Sequence, residues 1–299
     1  MSHPKIVCFG EMLWDVFPQQ KIAGGAPMNL ALHLQHLKAQ VAFVSKIGDD
    51  QEGEELLTLL HEHALPTDKV LIDPTLPTGR VIVDDADKEN IKYEIVKPSA
   101  WDNITWNENL QHEVSKADAF IFGSLAAREP NSRTTLLKLL DTPVLKVFDI
   151  NLRAPFYSFE LLKQLLAFAD ILKLNEEELA KLMEFHMLEG DYINALDHIA
   201  KEYRLQMICV TKGKHGADLY KNGALTTHVG YQVKVEDTVG SGDAFLSAFI
   251  YSYLEGNCPD KILDDACALG ALVATKKGGT PKYTAAEIER IKRDGKRAC

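Results

Sequence analysis

The feature that most constrains this chain is an alternation. Short apolar runs recur at Lys5 to Phe9, Val41 to Ile47, Ala119 to Phe122, Val144 to Asp149, Ile171 to Leu174 and Met207 to Thr211. Between them lie stretches with helical spacing: Pro27 to Leu37, Gln51 to His63, Asn131 to Leu140, Glu160 to Ala169, and Glu176 to Tyr203 with a break. A strand that is apolar on both faces needs cover on both faces. The order therefore predicts an α/β fold, a mostly parallel sheet packed between helices.

Two regions depart from the alternation. From about Asp73 to Trp106, Arg80 to Val83 and Ile91 to Val96 are β-rich and flank a polar stretch, Asp84 to Asn90, with no helix between. This predicts a small β excursion, or lid, on the α/β body. Ala217 to Tyr220 and Ala224 to Val229, around Asn222-Gly223, read as a hairpin. Helical patterns then cover Ala244 to Leu254, Lys261 to Thr275 and Ala285 to Lys292. No repeat or Pro-rich linker divides the chain. The expectation is one α/β domain over residues 1–299, with a lid formed mainly by residues 73–106 plus a short N-terminal segment.

Composition narrows the function classes. At 299 residues and 46% hydrophobic, the chain can bury a large core without disulfide or zinc staples. A net charge of −10 argues against nucleic acid as a partner, which needs a basic face. It leaves anionic ligands open, because backbone amides hold phosphate well. Five cysteines without a C-x-x-C pair read as free thiols in a reducing compartment. The N-terminus lacks a signal-peptide pattern, and no run approaches the ~20 apolar residues of a membrane span. The expected location is the cytoplasm, with no membrane partner.

In doubly wound sheets, ligands bind beyond the carboxyl ends of the strands. Four segments there carry chemistry. In Gly240-Ser241-Gly242-Asp243, two glycines precede a helical run. Their amides and the helix N-terminus would cradle an oxyanion, with Asp243 beside it as a base for an attacking hydroxyl. Read locally, the same residues fit a plain Gly-rich helix cap equally well. Gly24-Gly25-Ala26-Pro27-Met28-Asn29 opens another helix, and the Asn29 amide suits a polyol, although read locally an ordinary strand-to-helix turn with Asn29 as a satisfied cap is the better fit. Asn175 and Glu178 lie three apart at a helix start, where acids are favoured anyway. Thr211-Lys212-Gly213-Lys214-His215-Gly216 follows a strand and also fits a β-turn. P-loop, dinucleotide and zinc patterns are missing from the sequence. The scattered histidines, His33 and His36 included, read as solvated.

Taken together in order, these segments resemble one family, the ribokinase-like or PfkB-type carbohydrate kinases. Asp237 to Phe245 resembles its C-terminal signature and Gly24 to Ala31 its diglycine signature. Asn175 to Glu178 and Thr211 to Gly216 resemble its Asn-x-x-Glu and Thr-x-Gly-x-x-Gly segments, and Gly278-Gly279-Thr280-Pro281 falls where the family closes over nucleotide. The resemblance implies a ribokinase-like three-layer αβα fold with a small β lid, and ATP with Mg²⁺. It implies Asp243 as the base, with Gly240, Ser241 and Gly242 around the transferring phosphate. Asp15, Gly25 and Asn29 would hold the sugar. Asn175 and Glu178 would organise Mg²⁺ through water, and Thr211, Gly213, Gly216, Gly278 and Thr280 would line the nucleotide. In relatives that bind K⁺, the matching positions here are Asp237, Val239, Val273, Lys276 and Gly278.

Within the family, Phe148 to Arg153 and Ser99-Ala-Trp101-Asp102 resemble fructokinases and related ketose or ketoacid kinases. Arg153 would neutralise phosphate charge, and Arg80, at the start of the lid, would reach the substrate. The implied acceptor is a primary hydroxyl, the 6-hydroxyl in the case of D-fructose. 2-Keto-3-deoxygluconate, ribose or a nucleoside are alternative acceptors, and a non-catalytic sugar or nucleotide sensor is the alternative from another class. The chain departs from many relatives in carrying Cys267 where they have Asn near the adenine. The family's lids often pair, which implies a homodimer through an apolar lid face of Val81, Val83, Ile91 and Ile95, unless these pack within the lid itself.

Overall fold

The computed structural model describes residues 3–84 and 92–295. Its larger sheet has nine strands. In chain order they are β1 (Lys5–Phe9), β4 (Gln40–Gly48), β5 (Val70–Asp73), β8 (Ala119–Gly123), β9 (Leu145–Asp149), β10 (Ile171–Asn175), β11 (Met207–Thr211), β12 (Ala217–Lys221) and β13 (Ala224–His228). The spatial order is β13-β12-β11-β10-β9-β8-β1-β4-β5. Every pairing from β11 to β5 is parallel, and the β12–β13 hairpin closes one edge antiparallel.

Strand periodicity explains the two cores. In β1, Ile6 and Cys8 face one side and Val7 and Phe9 the other, all fully buried. On the first side lie α1 (Ala26–His36), α2 (Gln51–Glu62), α8 (Ser241–Leu254) and α9 (Pro259–Ala274), with α10 (Ala285–Asp294) packed on α9. On the second lie α3 (Glu108–Ser115), α4 (Pro130–Leu140), α5 (Phe159–Leu166), α6 (Glu176–Phe185) and α7 (Tyr192–Tyr203). The result is the expected three-layer αβα body.

The β excursion is a second sheet, β3-β2-β6-β7. It joins β2 (Leu13–Val16) and β3 (Lys21–Gly24) to β6 (Gly79–Asp84) and β7 (Lys92–Ile95). β2 runs parallel to β6 and antiparallel to β3. β2, β3 and β5, each four residues long, went unrecognised in the sequence because their pairing is decided by partners far along the chain. The expected polar turn and Ile91 fall largely outside the described residues. Leu13, Val81 and Val83 are buried, with Phe17 and Ile95 packed against them. Val81 and Val83, two of the residues expected to meet a second subunit, are therefore covered within the chain. Trp101 and Asp102 are buried too, and Asp102 takes both Nε and Nη2 of Arg128 at 2.7 Å.

Candidate active site

The site forms where the sequence pattern requires, at the carboxyl ends of β1, β8, β9, β10 and β11. α8 begins one residue after Gly240, so Asp243 is the third residue of that helix. Gly240 has φ 71°, and a Cβ there would come within 2.3 Å of the Gly279 carbonyl. Only glycine fits this junction. Among the described residues no side chain caps α8; Ser241 N, its first amide, donates to the Thr238 carbonyl at 3.3 Å.

Two helix starts far apart in sequence meet here. Asn29 Nδ2, in α1, donates to Asp243 Oδ2 at 2.8 Å. Asn29 Oδ1 is buried with no partner among the described residues. It is placed to accept from a hydroxyl. The turn before α1 depends on Gly25, at φ 109°, whose Cβ would lie 2.6 Å from the Glu11 carbonyl. Burial pushes the Asp243 carboxyl up to about 6; the Asn29 bond, Lys173 and Arg153 pull it down, and Asp149 pushes it further up. Asp15, on β2, is likewise pushed up to about 6 by burial, against the pull of Arg153.

Arg153 is exposed and donates Nη1 to the Leu152 carbonyl at 3.1 Å. Its charge pulls down the carboxyls of Glu11, Asp15 and Asp243. Arg80 does not join them. It lies on the exposed face of β6, alternating with buried Val81, and its Nε donates to Glu52 Oε2 at 2.6 Å. Strand alternation accounts for this: Asp15 pairs with Val81 in register, whereas Arg80 pairs with Trp14.

Asn175 and Glu178 cap their own helix. Each side chain accepts the other's backbone N–H at 2.8 Å. Glu178 Oε1 also accepts from Leu152 N at 2.9 Å. Among the described residues no group of three or more His, Cys, Asp or Glu side chains could hold a metal ion. That is compatible with Mg²⁺, which keeps several waters and uses one or two carboxylates plus phosphates. Thr211 ends β11, and Gly213 and Gly216 take positive φ in the turn that follows. Asp237 Oδ2 accepts from Gly278 N at 3.0 Å, and Val273 O accepts from Lys276 N at 2.9 Å. The segments of the expected K⁺ ring, with Val239 beside Asp237, thus lie together.

Three acidic or basic groups escaped the sequence reading. Glu11 is 3% exposed, and its Oε2 has no partner among the described residues. Burial pushes it up to about 7, against the pull of Arg153 and Arg128. Asp149 and Lys173 form a buried pair, with Nζ at 2.9 and 3.2 Å from the two carboxylate oxygens. Burial works against the Lys173 ammonium, but Asp149, Glu178 and Asp243 outweigh it and hold it charged. The available signal was a charge inside an apolar strand, Ile-Leu-Lys-Leu-Asn. His33 corrects an expectation. It is fully buried, with Nε2 donating to the Gly279 carbonyl at 2.9 Å and Nδ1 accepting from the Tyr283 hydroxyl at 3.1 Å. It fastens the 278–281 loop, next to Thr280, onto α1.

A family model, the pfkB family carbohydrate kinases, matches residues 4–286. The chain belongs to the pfkB family of carbohydrate kinases. This kinase is 30% identical to the probable fructokinase-5 of Arabidopsis thaliana, over 96% of its own chain and 97% of the relative. Its fold matches the fructokinase of Xylella fastidiosa with bound ATP, TM-score 0.85 at 24% identity, covering 97% and 98% of the two chains. It also matches a double mutant of the Vibrio cholerae fructokinase in a fructose-, ADP- and potassium-bound form, TM-score 0.81 at 23% identity, covering 97% and 98%. No helix among the described residues is long and apolar enough to cross a membrane.

Proposed function

We propose that this kinase transfers the γ-phosphoryl group of ATP to D-fructose, with Asp243 as the base. The observation that carries the reading is the 2.8 Å bond from Asn29 to Asp243. It joins the helix start suited to a polyol to the helix start suited to a phosphate. The full-length fructokinase relatives, and the neighbour holding fructose and ADP, support the choice of sugar.

In this reading Asp15, Gly25 and Asn29 hold the sugar, Arg153 neutralises phosphate charge, and the second sheet closes over the sugar as a lid. Asp243 takes the proton as the hydroxyl oxygen bonds to the γ-phosphorus and the bond to the β–γ bridging oxygen breaks, releasing ADP. A positioned base contributes ~10²–10⁴-fold. Gly240, Ser241 and Gly242, at the N-terminus of α8, stabilise the charge on the transferring group. Thr211, Gly213, Gly216, Gly278 and Thr280 line the nucleotide. Asn175 and Glu178 would hold Mg²⁺ through water beside the nucleotide, where the ion would neutralise phosphate charge. K⁺ would sit between the segments carrying Asp237, Val239, Val273, Lys276 and Gly278.

The reading includes a cytoplasmic location, supported by free Cys8, Cys209, Cys258 and Cys267. It also includes a homodimer through the lid. With Val81 and Val83 covered, the contact would use Ile82 and Tyr93, 39% and 65% exposed. Sedimentation of the wild type against Tyr93→Glu tests this, and a monomer in both removes it. The central test is ADP release with a panel of fructose, 2-keto-3-deoxygluconate, ribose and a nucleoside. Fructose should be phosphorylated fastest. No rate with fructose above background would end the assignment, and nucleotide and sugar binding without ADP release would favour a sensor.

A further inference from the structure

Lys173 occupies a position that folding alone does not favour. Its strand neighbours on the same face are apolar: Ile171, Met207 and Cys209 are at most 1% exposed. An ion pair there loses more hydration than an apolar pair would, and such pairs are weak contributors to stability. Its direction is also specific. A Cβ added to Gly242 would find Lys173 Nζ at 3.7 Å, with nothing else within 4 Å beyond its chain neighbours and the helix's own nearby backbone. The ammonium therefore sits beside the open N-terminus of α8, an end that is already electropositive. Two positive features side by side repel, and an anion between them relieves this. Asp149 holds the ammonium in place through both oxygens. Asp149, Glu178 and Asp243 would otherwise repel an incoming triphosphate.

We propose that Lys173, held by Asp149, is a positioning residue that draws the γ-phosphate of the nucleotide to the N-terminus of α8. This rests on the phosphoryl-transfer reading above and adds a cation to it. The nucleotide's third phosphate, not the adenosine or the sugar, is the part it recognises.

The test separates charge from packing. Lys173→Met leaves Asp149 buried without a partner and is expected to unfold more easily. The double variant Lys173→Met/Asp149→Leu replaces the pair with apolar groups and should melt near the wild type. Titration calorimetry would compare ADP with a non-hydrolysable ATP analogue on wild type and double variant. The analogue should lose about 10- to 100-fold in affinity, the range for one charge-assisted hydrogen bond, while ADP is unchanged. Turnover should stay low although stability is recovered. Equal losses for the two nucleotides, no loss for either, or recovered turnover in the double variant would overturn the proposal. A wild type that shows the expected nucleotide pattern but phosphorylates no sugar would sink the acceptor assignment and leave Lys173 in its role. A wild type that binds neither nucleotide would sink both.

Discussion

Two helices begin at the edge of the same site and treat their first amides in opposite ways. α6 seals itself: Asn175 and Glu178 exchange side-chain and backbone hydrogen bonds, and Glu178 takes a third from Leu152. α8 stays open: its cap position is Gly240, and no side chain reaches back. α2, α3, α5, α7 and α10 are sealed by Asp50, Asn107, Ser158, Asp191 and Thr284. α1, α4 and α9 also lack a side-chain cap, so an uncapped start is a condition for binding rather than a mark of it. The dipole is present at all of them, but a ligand gains only where the amides have not been satisfied from within. Burial raises the acid at each end, but only Glu178 satisfies backbone amides in return, and that difference can be tested.

The largest effect is expected at the open end. Asp243→Asn should lower turnover by ~10²–10⁴-fold while ATP still binds. Near-normal turnover would show that the acid there is not the base. Gly240→Ala should cost about 1–3 kcal/mol or more, from a strained φ and a collision with the Gly279 carbonyl. A thermal melt of that variant matching the wild type would mean the open cap does not require glycine. At the closed end, Glu178→Ala orphans the amides of Leu152 and Asn175 and should destabilise by about 1–3 kcal/mol. An unchanged melting temperature would break the comparison there.

The open end should do the reverse. The Asp243 carboxyl rises from 3.8 to about 6 on folding. The folded protein thus binds this proton more tightly than the unfolded chain. The cost of ionising Asp243 is absent below the unfolded value, grows through that window and is complete above about 6. Asp243→Asn should therefore stabilise the protein at neutral pH by about 1–3 kcal/mol. The gain should vanish in acid, as paired melts at the two pH values would show. Since the base must be ionised, kcat/KM of the wild type should fall as pH drops through about 6. A limb in the ordinary carboxylate range would contradict the burial argument. The smallest effect is at Arg80, on the outer face of the lid. Arg80→Ala should leave the sugar KM nearly unchanged, because an exposed pair with Glu52 is worth under about 1 kcal/mol. A large rise in KM would return it to the sugar site.

Most of the αβα body was legible because apolar runs and helical spacing are local signals. β1 and β11 fall on the residues expected, and the single break between Glu176 and Tyr203 separates α6 from α7. The four-residue strands β2, β3 and β5 were not seen, since their pairing is decided by partners far along the chain. At the site, glycine-marked segments were legible because positive φ and close approach leave a residue signature. Glu11, Asp149 and Lys173 were not, as a buried charge is recognisable only once its surroundings are known. Arg80 and His33 failed for the same reason. Which face of a strand or helix points inward depends on the layer packed against it.

The Asn29–Asp243 bond spans 214 positions of sequence, and this bears on how the protein is made. α1 leaves the ribosome early, yet its packing partner α8 comes near the end. At about 5–20 residues per second, roughly 10–40 s pass between the two. During that time the apolar side of α1, with Met28, Leu32 and Leu34, has no α8 to cover it. The nascent chain therefore carries an uncovered greasy helix for tens of seconds. A chaperone that binds such helices should be found on ribosomes that have passed α1 but not yet finished α8, and should leave once α8 emerges.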